Sequence, residues 1–515
     1  MASTRLASQP PAGAGRADRP GRGAQGLGIA VVVVLGAAAG LGTALVAPLG
    51  PVTMVQGLLV MLLGALLGLA GGGIVRSAWA VVPLGIAYAA AMELGRWAVS
   101  LPTVDAIRFD SLYGALAFLV GRGLHGLLLL LPMILGARIG ADLARRRSGA
   151  VTHRTRRSVV TGLVALLTIA LAALVARPSS TPPVTDAAGQ EVPGSVAALE
   201  TVTLGGDEHA LMVRAADPDR PVLLYLSGGP GQSDLALARV LSEPWQDDVV
   251  FATYDQRGNG KSYPALLPTD EATLDRAVAD TIELSEYLRD RFGEEKIYLM
   301  GESWGTILGV LAVQQRPDLY HAWIGSGQMV NVAETDRRIY RDLQEYAART
   351  GDTALAATLT DIGEPPYADI PWANAEVMAA YDYLYDPYTP SEGYLARGEA
   401  SGLDPFGVKG VEYDLMEKAD VLRGLVDTFS VMYPQIQDVD FRRDVPRLEV
   451  PVYVLDGAAE LDGRRALALE WYELVDAPDK RLVTFEGAAH AVAFEQADAV
   501  ERLLVEDVIP RTLNR

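Results

Sequence analysis

The sequence predicts an all-α bundle of about five transmembrane helices, followed by an α/β domain with a mostly parallel sheet and a helical insertion. Five apolar runs lie within the first 177 residues, and short apolar runs alternate with helix-like segments after about residue 198. The charge changes at the same boundary. The first 177 residues hold 16 Arg and 5 acidic residues, and the rest of the chain holds 28 basic and 59 acidic ones. Such an asymmetry indicates two environments in one chain.

The five apolar runs predict a multi-pass protein of the cell membrane. They lie near residues 27–48, 53–75, 78–95, 113–137 and 158–176. Most reach the ~20 residues that a helix needs to cross a bilayer. A signal peptide would account for the first run but not for the four that follow. We therefore predict a disordered cytoplasmic N-terminus over 1–26, rich in Pro, Gly and Arg, and a membrane domain over 27–177 whose partner is the lipid bilayer.

The arginines predict how these spans are oriented. Arginine clusters precede the first span and fill the loop between the fourth and fifth, and Arg76 lies between the second and third. With five spans these segments share one face, which the positive-inside rule makes cytoplasmic. The α/β domain, 198–515, is then extracytoplasmic and follows a Pro/Ser/Thr-rich linker at 178–197. Its acidic composition lacks the basic surface that nucleic acid requires, so no nucleic-acid partner is expected.

The α/β domain begins with a predicted hairpin, because "ALETVTL" and "ALMVRAA" flank "GGDE". Further apolar runs are suited to buried strands. They lie at 221–226, 249–255, 296–300, 322–327, 451–456 and 481–485. Residues of roughly 328–445 interrupt this pattern and are rich in helix formers and Tyr. The pattern therefore favours a mostly parallel sheet with a helical insertion.

The segment Gly301-Glu302-Ser303-Trp304-Gly305 lies between the predicted strand 296–300 and the apolar helix "TILGVLAVQQ". The pattern G-x-S-x-G at such a junction is typical of a nucleophile elbow, where small glycines let the chain turn sharply and expose the serine hydroxyl above the sheet edge. An ordinary Gly-rich turn is the alternative, and the placement between strand and helix argues against it. We therefore predict the α/β-hydrolase fold with Ser303 as nucleophile.

A serine at its free pKa needs a base to become a nucleophile. His490 lies in the loop after "RLVTFEG", late in the chain, where the fold's order of serine, acid and histidine requires the base. The acid should follow the strand 451–456 and orient the imidazole. Glu460 and Asp462 both lie within reach, and the residue pattern leaves both open.

Acyl transfer also needs N–H donors where the oxyanion develops. The segment "SGGPG" at 227–231 follows the strand 221–226, where the second donor loop of this fold belongs. We expect donors from Trp304 and Gly229, with Gly228 as a substitute. The chain has no Cys, which excludes disulfides, Cys-ligated zinc and a thiol nucleophile. No metal site and no cofactor are predicted.

Three motifs in this order resemble the prolyl aminopeptidase (proline iminopeptidase) family of α/β-hydrolases: "SGGPG" at 227–231, "DQRGNGKS" at 255–262 and "GESWGT" at 301–306. The resemblance covers about 195–515 and leaves the five spans outside. It implies Ser303 as nucleophile, His490 as base and Glu460 as acid. Glu460 stands where the family usually has Asp, which keeps Asp462 as an alternative, and Ser227 replaces the family's usual His.

The resemblance also implies that residues 328–445 form a helical cap and that cap carboxylates bind the free amine of a peptide. Glu334 is a candidate for this role, with an exposed helix acid as the alternative reading. We therefore expect a membrane-anchored extracytoplasmic serine hydrolase, an aminopeptidase of the prolyl type that acts on short peptides through an acyl-enzyme. An esterase of the same fold and a catalytically silent membrane sensor or binding protein are the alternatives.

Overall fold

The structure, a computed structural model, describes residues 22–47, 50–97, 119–148, 154–401 and 407–513. Its contacts divide the chain into two compact units, a helical unit within the first 176 residues and a sheet unit that contains Arg177–Arg515. Residues 1–21 of the predicted N-terminal segment lie outside the described residues. The first helix starts at Arg22, before the predicted boundary at 26.

Five helices in the described part of the first 176 residues are long and apolar enough to cross a membrane, as judged by length and composition. The candidate spans are Gln25–Val46, Met54–Val75, Ala78–Gly95, Leu119–Arg147 and Ser158–Val175. The α-helices described in this region are α1 (Arg22–Val46), α2 (Met54–Val75), α3 (Val81–Gly95), α4 (Leu124–Arg147) and α5 (Arg154–Val175). A 3-10 turn at Ala78–Ala80 precedes α3, and a π-helical turn at Leu119–Gly123 precedes α4. The predicted helical bundle is thereby confirmed. Its fourth helix continues to Arg147 instead of ending near 137, and residues 113–118 of its predicted start lie outside the described ones.

Glycines bring α2 and α4 into backbone contact. Gly64, Gly68 and Gly72 recur every fourth residue along α2, and a Cβ added at any of them would lie 2.0–2.2 Å from a carbonyl oxygen of α4. In the same way, a Cβ added at Gly136 or at Gly140 of α4 would lie 2.1 Å from a carbonyl oxygen of α2. Small residues at this spacing allow apolar helices to pack closely, where van der Waals contact rather than water exclusion holds them together. We call these five residues the glycine ladder.

The sheet unit is built on one eight-stranded sheet with the order β1-β2-β4-β3-β5-β6-β7-β8. The strands are β1 (Val196–Leu204), β2 (Asp207–Ala215), β3 (Val222–Leu226), β4 (Val250–Tyr254), β5 (Ile297–Glu302), β6 (Tyr320–Ser326), β7 (Val452–Gly457) and β8 (Lys480–Phe485). β1 and β2 form the predicted hairpin, and β2 also pairs antiparallel with β4. All other pairs are parallel. This topology confirms the predicted α/β-hydrolase fold.

Helices cover both faces of the sheet, as the continuous apolar runs of the central strands require. The helices of this unit are α6 (Leu235–Leu241), α7 (Leu274–Phe292), α8 (Trp304–Gln315), α9 (Val332–Thr350), α10 (Thr353–Ile362), α11 (Ile370–Met378), α12 (Glu392–Ser401), α13 (Leu415–Met432), α14 (Phe441–Asp444), α15 (Asp462–Leu474), α16 (Val492–Glu495), α17 (Ala497–Leu503) and α18 (Ile509–Thr512). Successive residues of β3 point to opposite faces. Leu224 joins the core formed with α7, α8 and α15, and Tyr225 joins the core formed with α6, α16 and α17.

The helices α9–α14 lie between β6 and β7 and form what we call the helical insertion. The first helices of the insertion share a small core of their own, in which Ile339 and Leu343 of α9 pack with Leu355 and Leu359 of α10. Residues 402–406 of the insertion lie outside the described residues. The limits of the cap, 328–445, stay a prediction.

The segment predicted as a linker is hydrogen-bonded to the sheet unit along much of its length. The guanidinium of Arg214 on β2 donates to Thr181 Oγ1 at 2.8 Å and to the carbonyl of Pro182 at 2.7 Å. The Ser180 amide donates to the carbonyl of Val411 at 2.9 Å, and Val184 is buried. Although this segment has no apolar period, it packs against the fold.

Candidate active site

Ser303 stands in a sharp turn between β5 and α8. Its backbone has φ 53° and ψ −119°, a conformation that L-residues rarely adopt. The flanking glycines are needed for close approach: a Cβ at Gly301 would lie 2.5 Å from the Gly305 carbonyl oxygen, and one at Gly305 would lie 2.2 Å from that of Leu226. This is the geometry of a nucleophile elbow, which holds the hydroxyl above the carboxyl end of the sheet.

The loop after β3 lies against the elbow. A Cβ added to Gly228 would lie 3.4 Å from the Cβ of Ser303, so Gly228 is in contact with the serine. Trp304 is the first residue of α8, so its amide has no acceptor within the helix. Gly229, the residue after Gly228, has φ 123°, a conformation that favours glycine. The predicted oxyanion donors thus lie on two segments that meet at Ser303.

Gln256 joins these two segments. The indole N–H of Trp304 donates to Gln256 Oε1 at 2.7 Å, and Gln256 Nε2 donates to the Ser227 carbonyl at 3.0 Å. Nε2 also lies 3.3 Å from Ser227 Oγ. Ser227 stands where the family that this chain resembles usually has a histidine. Sequence reasoning missed Gln256, although it lies within the motif "DQRGNGKS".

Asp255 and Arg257, the neighbours of Gln256, have structural partners. Arg257 donates to Asp280 at 2.9 Å and to Asp207 at 2.6 Å. Asp255 accepts from the Tyr413 hydroxyl at 2.9 Å. Burial raises the pKa of Asp255 to about 7, although the hydrogen bonds that the Asp255 carboxyl accepts act to lower it. The motif therefore shapes the turn beside the elbow.

His490 lies in the loop after β8 and is hydrogen-bonded through Nδ1 to Glu460 Oε2. Glu460 lies in the turn that follows β7 and is 9% exposed. Its other oxygen accepts from the Leu461 amide at 2.7 Å. Burial raises the pKa of Glu460, but the charges of His490 and Arg464 and the accepted hydrogen bonds outweigh burial, so that the pKa falls to about 2. An ionised carboxylate on Nδ1–H leaves Nε2 of the imidazole free to accept a proton.

The end of β6 connects the serine and the histidine. The Ser303 amide donates to the Ser326 carbonyl at 3.0 Å. A Cβ added to the next residue, Gly327, would lie 2.9 Å from Nδ1 of His490. Two consecutive residues therefore lie against the backbone of Ser303 and the side chain of His490, at the carboxyl edge of the sheet, where ligands bind in open α/β folds.

The two remaining predicted carboxylates have other surroundings. Asp462 is exposed and begins α15, and Glu460 holds the hydrogen bond to His490. Glu334 lies in the first turn of α9, where one oxygen pairs with Arg338 and the other with Arg442. The hypothesis that Glu334 binds a substrate amine stays a prediction, and it requires those ion pairs to open.

Buried carboxyl groups beside the elbow were not singled out by sequence reasoning. Glu302, the residue before the nucleophile, is 5% exposed. Burial raises the pKa of Glu302 well above its ordinary value, and the neighbouring Asp234 and Glu495 add to the rise. Burial also raises the pKa of Asp234 to about 6. Within the described ranges, no group of three or more His, Cys, Asp or Glu side chains is arranged to hold a metal ion.

The sheet unit matches known hydrolases. Residues 222–391 match the family described as serine aminopeptidase, S33. The chain is 27% identical over 303 residues to the probable aminopeptidase YbaC of Bacillus subtilis, a match that covers 59% of this chain and 93% of that protein. It is 33% identical over 209 residues to the proline iminopeptidase of Lactobacillus delbrueckii subsp. bulgaricus, covering 38% of this chain and 68% of the relative.

Among solved structures, the proline iminopeptidase of Mycobacterium smegmatis is 19% identical, with a TM-score of 0.44, and the match covers 62% of this chain and 99% of that one. The sequence relationships, together with the strand order and the elbow, establish the family. The chain is a hydrolase and belongs to the proline iminopeptidase family of α/β-hydrolases, among the serine aminopeptidases S33.

Proposed function

We propose that the protein is an aminopeptidase of the proline iminopeptidase type that is anchored in the cell membrane and acts outside the cytoplasm on short peptides. The names of its relatives support a peptidase that releases N-terminal residues. The five apolar helices support the membrane anchor. The arginine distribution supports an extracytoplasmic position of the sheet unit.

The proposed mechanism proceeds through an acyl-enzyme. Ser303 Oγ attacks the scissile carbonyl while His490 Nε2 takes the proton of the Ser303 hydroxyl, and Glu460 stabilises the resulting imidazolium. The N–H groups of Trp304 and Gly229 stabilise the oxyanion. His490 then protonates the leaving amine. A water molecule, activated by the same histidine, releases the acyl group and restores the serine. The observation that carries this proposal is the hydrogen bond between Glu460 and His490 at the sheet edge that also holds Ser303.

A fluorophosphonate probe tests the activated serine. We expect the full-length protein in detergent to be labelled, Ser303→Ala to lose all labelling, and His490→Ala to lose most of it. Ser180→Ala, which changes an exposed serine, is the matched control and should label like the wild type. A folded wild-type protein that is never labelled would overturn the proposal in favour of a silent sensor or binding protein.

A substrate panel then separates peptidase from esterase. We expect the protein to release naphthylamine from the β-naphthylamides of Pro, Ala or Leu, and to leave their N-acetylated forms intact, because an aminopeptidase requires a free amine. Cleavage of p-nitrophenyl esters without cleavage of any aminoacyl amide would identify an esterase instead.

The orientation has a direct test because the chain contains no cysteine, so that an introduced one is unique. In intact cells a membrane-impermeant maleimide should label Glu506→Cys, which lies on an exposed part of the sheet unit. Arg147→Cys at the end of α4 should be labelled only after permeabilisation. The reverse pattern would place the sheet unit in the cytoplasm and contradict the proposal.

A further inference from the structure

Glu495 holds the backbone on both sides of His490. It ends the short helix α16 and is 6% exposed. The Ala489 amide donates to one oxygen of its carboxylate at 2.8 Å, and the Ala491 amide donates to the other at 3.3 Å. The two donors immediately precede and follow His490. The Glu495 carboxylate thus connects the two backbone amides that flank His490, the candidate base.

Such a bridge restricts the position of the imidazole. Hydrogen bonds from N–H groups to an ionised carboxylate are stronger than those to a neutral acceptor. Ala489 is buried, so without Glu495 its N–H would lose its partner in a place that water does not reach, which is unfavourable. The loop also packs tightly on β7, since a Cβ at Gly457 would lie 1.9 Å from the Ala489 carbonyl oxygen. The histidine loop is thus fixed from two sides.

The helical insertion holds Glu495 in turn. Ser391, directly before α12, donates its hydroxyl to the Glu495 carbonyl at 2.6 Å. Ser391 Oγ also accepts from the Tyr394 amide at 3.2 Å, which ties it to the start of α12. Burial and then the neighbouring Glu495 carboxylate raise the pKa of Tyr388, a further residue of the insertion. The insertion and the histidine loop therefore meet at Glu495.

The surroundings of Glu495 act on its carboxyl in both directions and leave its pKa raised. Burial raises the pKa of Glu495, the two amide hydrogen bonds and the charge of His490 lower it, and Glu460 raises it.

We propose that Glu495 is a positioning residue for His490, which fixes the backbone of the base through the amides of Ala489 and Ala491 and connects it to the helical insertion through Ser391. This inference rests on the proposed role of His490 as the base. Glu495 acts through the histidine and does not contact the substrate in this role.

The rate of fluorophosphonate labelling in the full-length protein tests the proposal, with the maximal rate (kinact) separated from the affinity (KI). We expect Glu495→Ala to lower kinact about 10- to 100-fold, the range for residues that orient a reacting side chain, and to leave KI unchanged. Glu495→Gln keeps one acceptor oxygen and nearly the same volume, so it should recover part of the lost rate. Glu506→Ala removes the same charge at an exposed position and should label like the wild type.

The outcomes distinguish this inference from the proposed function. Equal kinact for the wild type and Glu495→Ala would overturn the inference and leave the proposed function intact. A change in KI alone would also overturn it. If Glu495→Ala does not fold, Glu495→Gln decides, and a kinact equal to that of the wild type contradicts the inference. Absence of labelling in the wild type would overturn both proposals.

Discussion

Ser303 keeps a backbone conformation that is costly for any residue with a side chain. Residues in sparsely populated regions of φ and ψ cost about 1–3 kcal/mol and persist where the surrounding structure determines them. Here the close contacts of Gly301 and Gly305 and the hydrogen bond to Ser326 determine the turn. The hydroxyl is therefore positioned before a substrate arrives, and no rearrangement of the elbow is needed for attack.

Glu460 and Asp462 can be separated by matched substitutions. Glu460→Gln removes the charge that stabilises a protonated His490 and allows the amide to select the wrong tautomer. We expect it to lower kcat roughly 10²- to 10⁴-fold, by analogy with the acid of other serine triads. Asp462→Asn changes an exposed side chain and should leave kcat within about twofold. Kinetics with the aminoacyl amide that the wild type cleaves best provide the measurement. A loss in Asp462→Asn that exceeds the loss in Glu460→Gln would assign the acid to Asp462.

At the scale of residues, sequence reasoning located the groups that belong to a local pattern. Ser303 lies in a motif, His490 lies where chain order requires a base, and Glu460 lies a short distance after a predicted strand. Gln256 lies in the motif "DQRGNGKS", but the motif does not indicate its partners, and Glu495 lies in no such pattern. Gln256 connects the loop after β3 to α8, two segments that only the folded sheet brings together. Glu495 accepts from amides four and six residues earlier in the chain, in a turn that the residue pattern does not announce. A side chain of this kind is identified from its partners in space.

At the scale of elements, the glycine ladder makes a prediction about the helical unit. At Gly68 the backbone of α4 approaches so closely that a Cβ would lie 2.0 Å from the Met133 carbonyl oxygen. Gly68→Leu should therefore force the two helices apart and destabilise the unit by about 3 kcal/mol, the upper end for overpacked cores. Gly126→Leu is the control, because nothing lies within 4 Å of a Cβ there. Thermal unfolding in detergent checks both, and equal midpoints for the two variants would contradict the ladder.

Elements with a regular hydrophobic period or a strongly apolar composition were predictable from the sequence, and elements without either were not. Hydropathy predicted the apolar helices, and the Gly205-Gly206 turn between alternating strands predicted the β1–β2 hairpin. The segment 178–197 was predicted as a linker because it lacks a period. Its contacts include the hydrogen bond from the Arg214 guanidinium to the Pro182 carbonyl and the one from the Ser180 amide to Val411, and neither leaves a signature in the segment itself.

At the scale of the whole molecule, the acidic sheet unit contains carboxyl groups that bind protons more tightly in the folded state than in the unfolded chain. Burial raises the pKa of Asp234 to about 6, of Asp255 to about 7 and of Asp336 to about 6. Between pH 4 and 7 these groups hold protons in the folded state that the unfolded state has released. Stability therefore falls as the pH rises through this window.

Thermal unfolding between pH 5 and 8 tests this linkage. We expect the melting temperature of the full-length protein in detergent to rise as the pH falls from 8 to 5. The low pKa of Glu460, about 2, acts in the opposite direction, but only below about pH 4.5, where that carboxylate begins to be protonated in the unfolded state. Asp255→Asn should flatten the dependence, and Asp270→Asn, at an exposed position, should not. A melting temperature that increases steadily from pH 5 to 8 would contradict the prediction.

The hydrogen-bonded course of the segment after α5 bears on where the products of the reaction are released. A catalytic unit joined to its anchor by free chain can be cut away by an extracellular protease, since proteases act on locally unfolded backbone. Here the backbone near Thr181 and Pro182 is bound by Arg214, and Val184 is buried, so cleavage would first require this segment to detach. If the sheet unit is anchored outside the cytoplasm, as we propose, we expect the enzyme to resist shedding and to remain with the cell that made it. Amino acids freed from peptides would then be released at that cell's own surface, close to its uptake systems, instead of being shared with its neighbours.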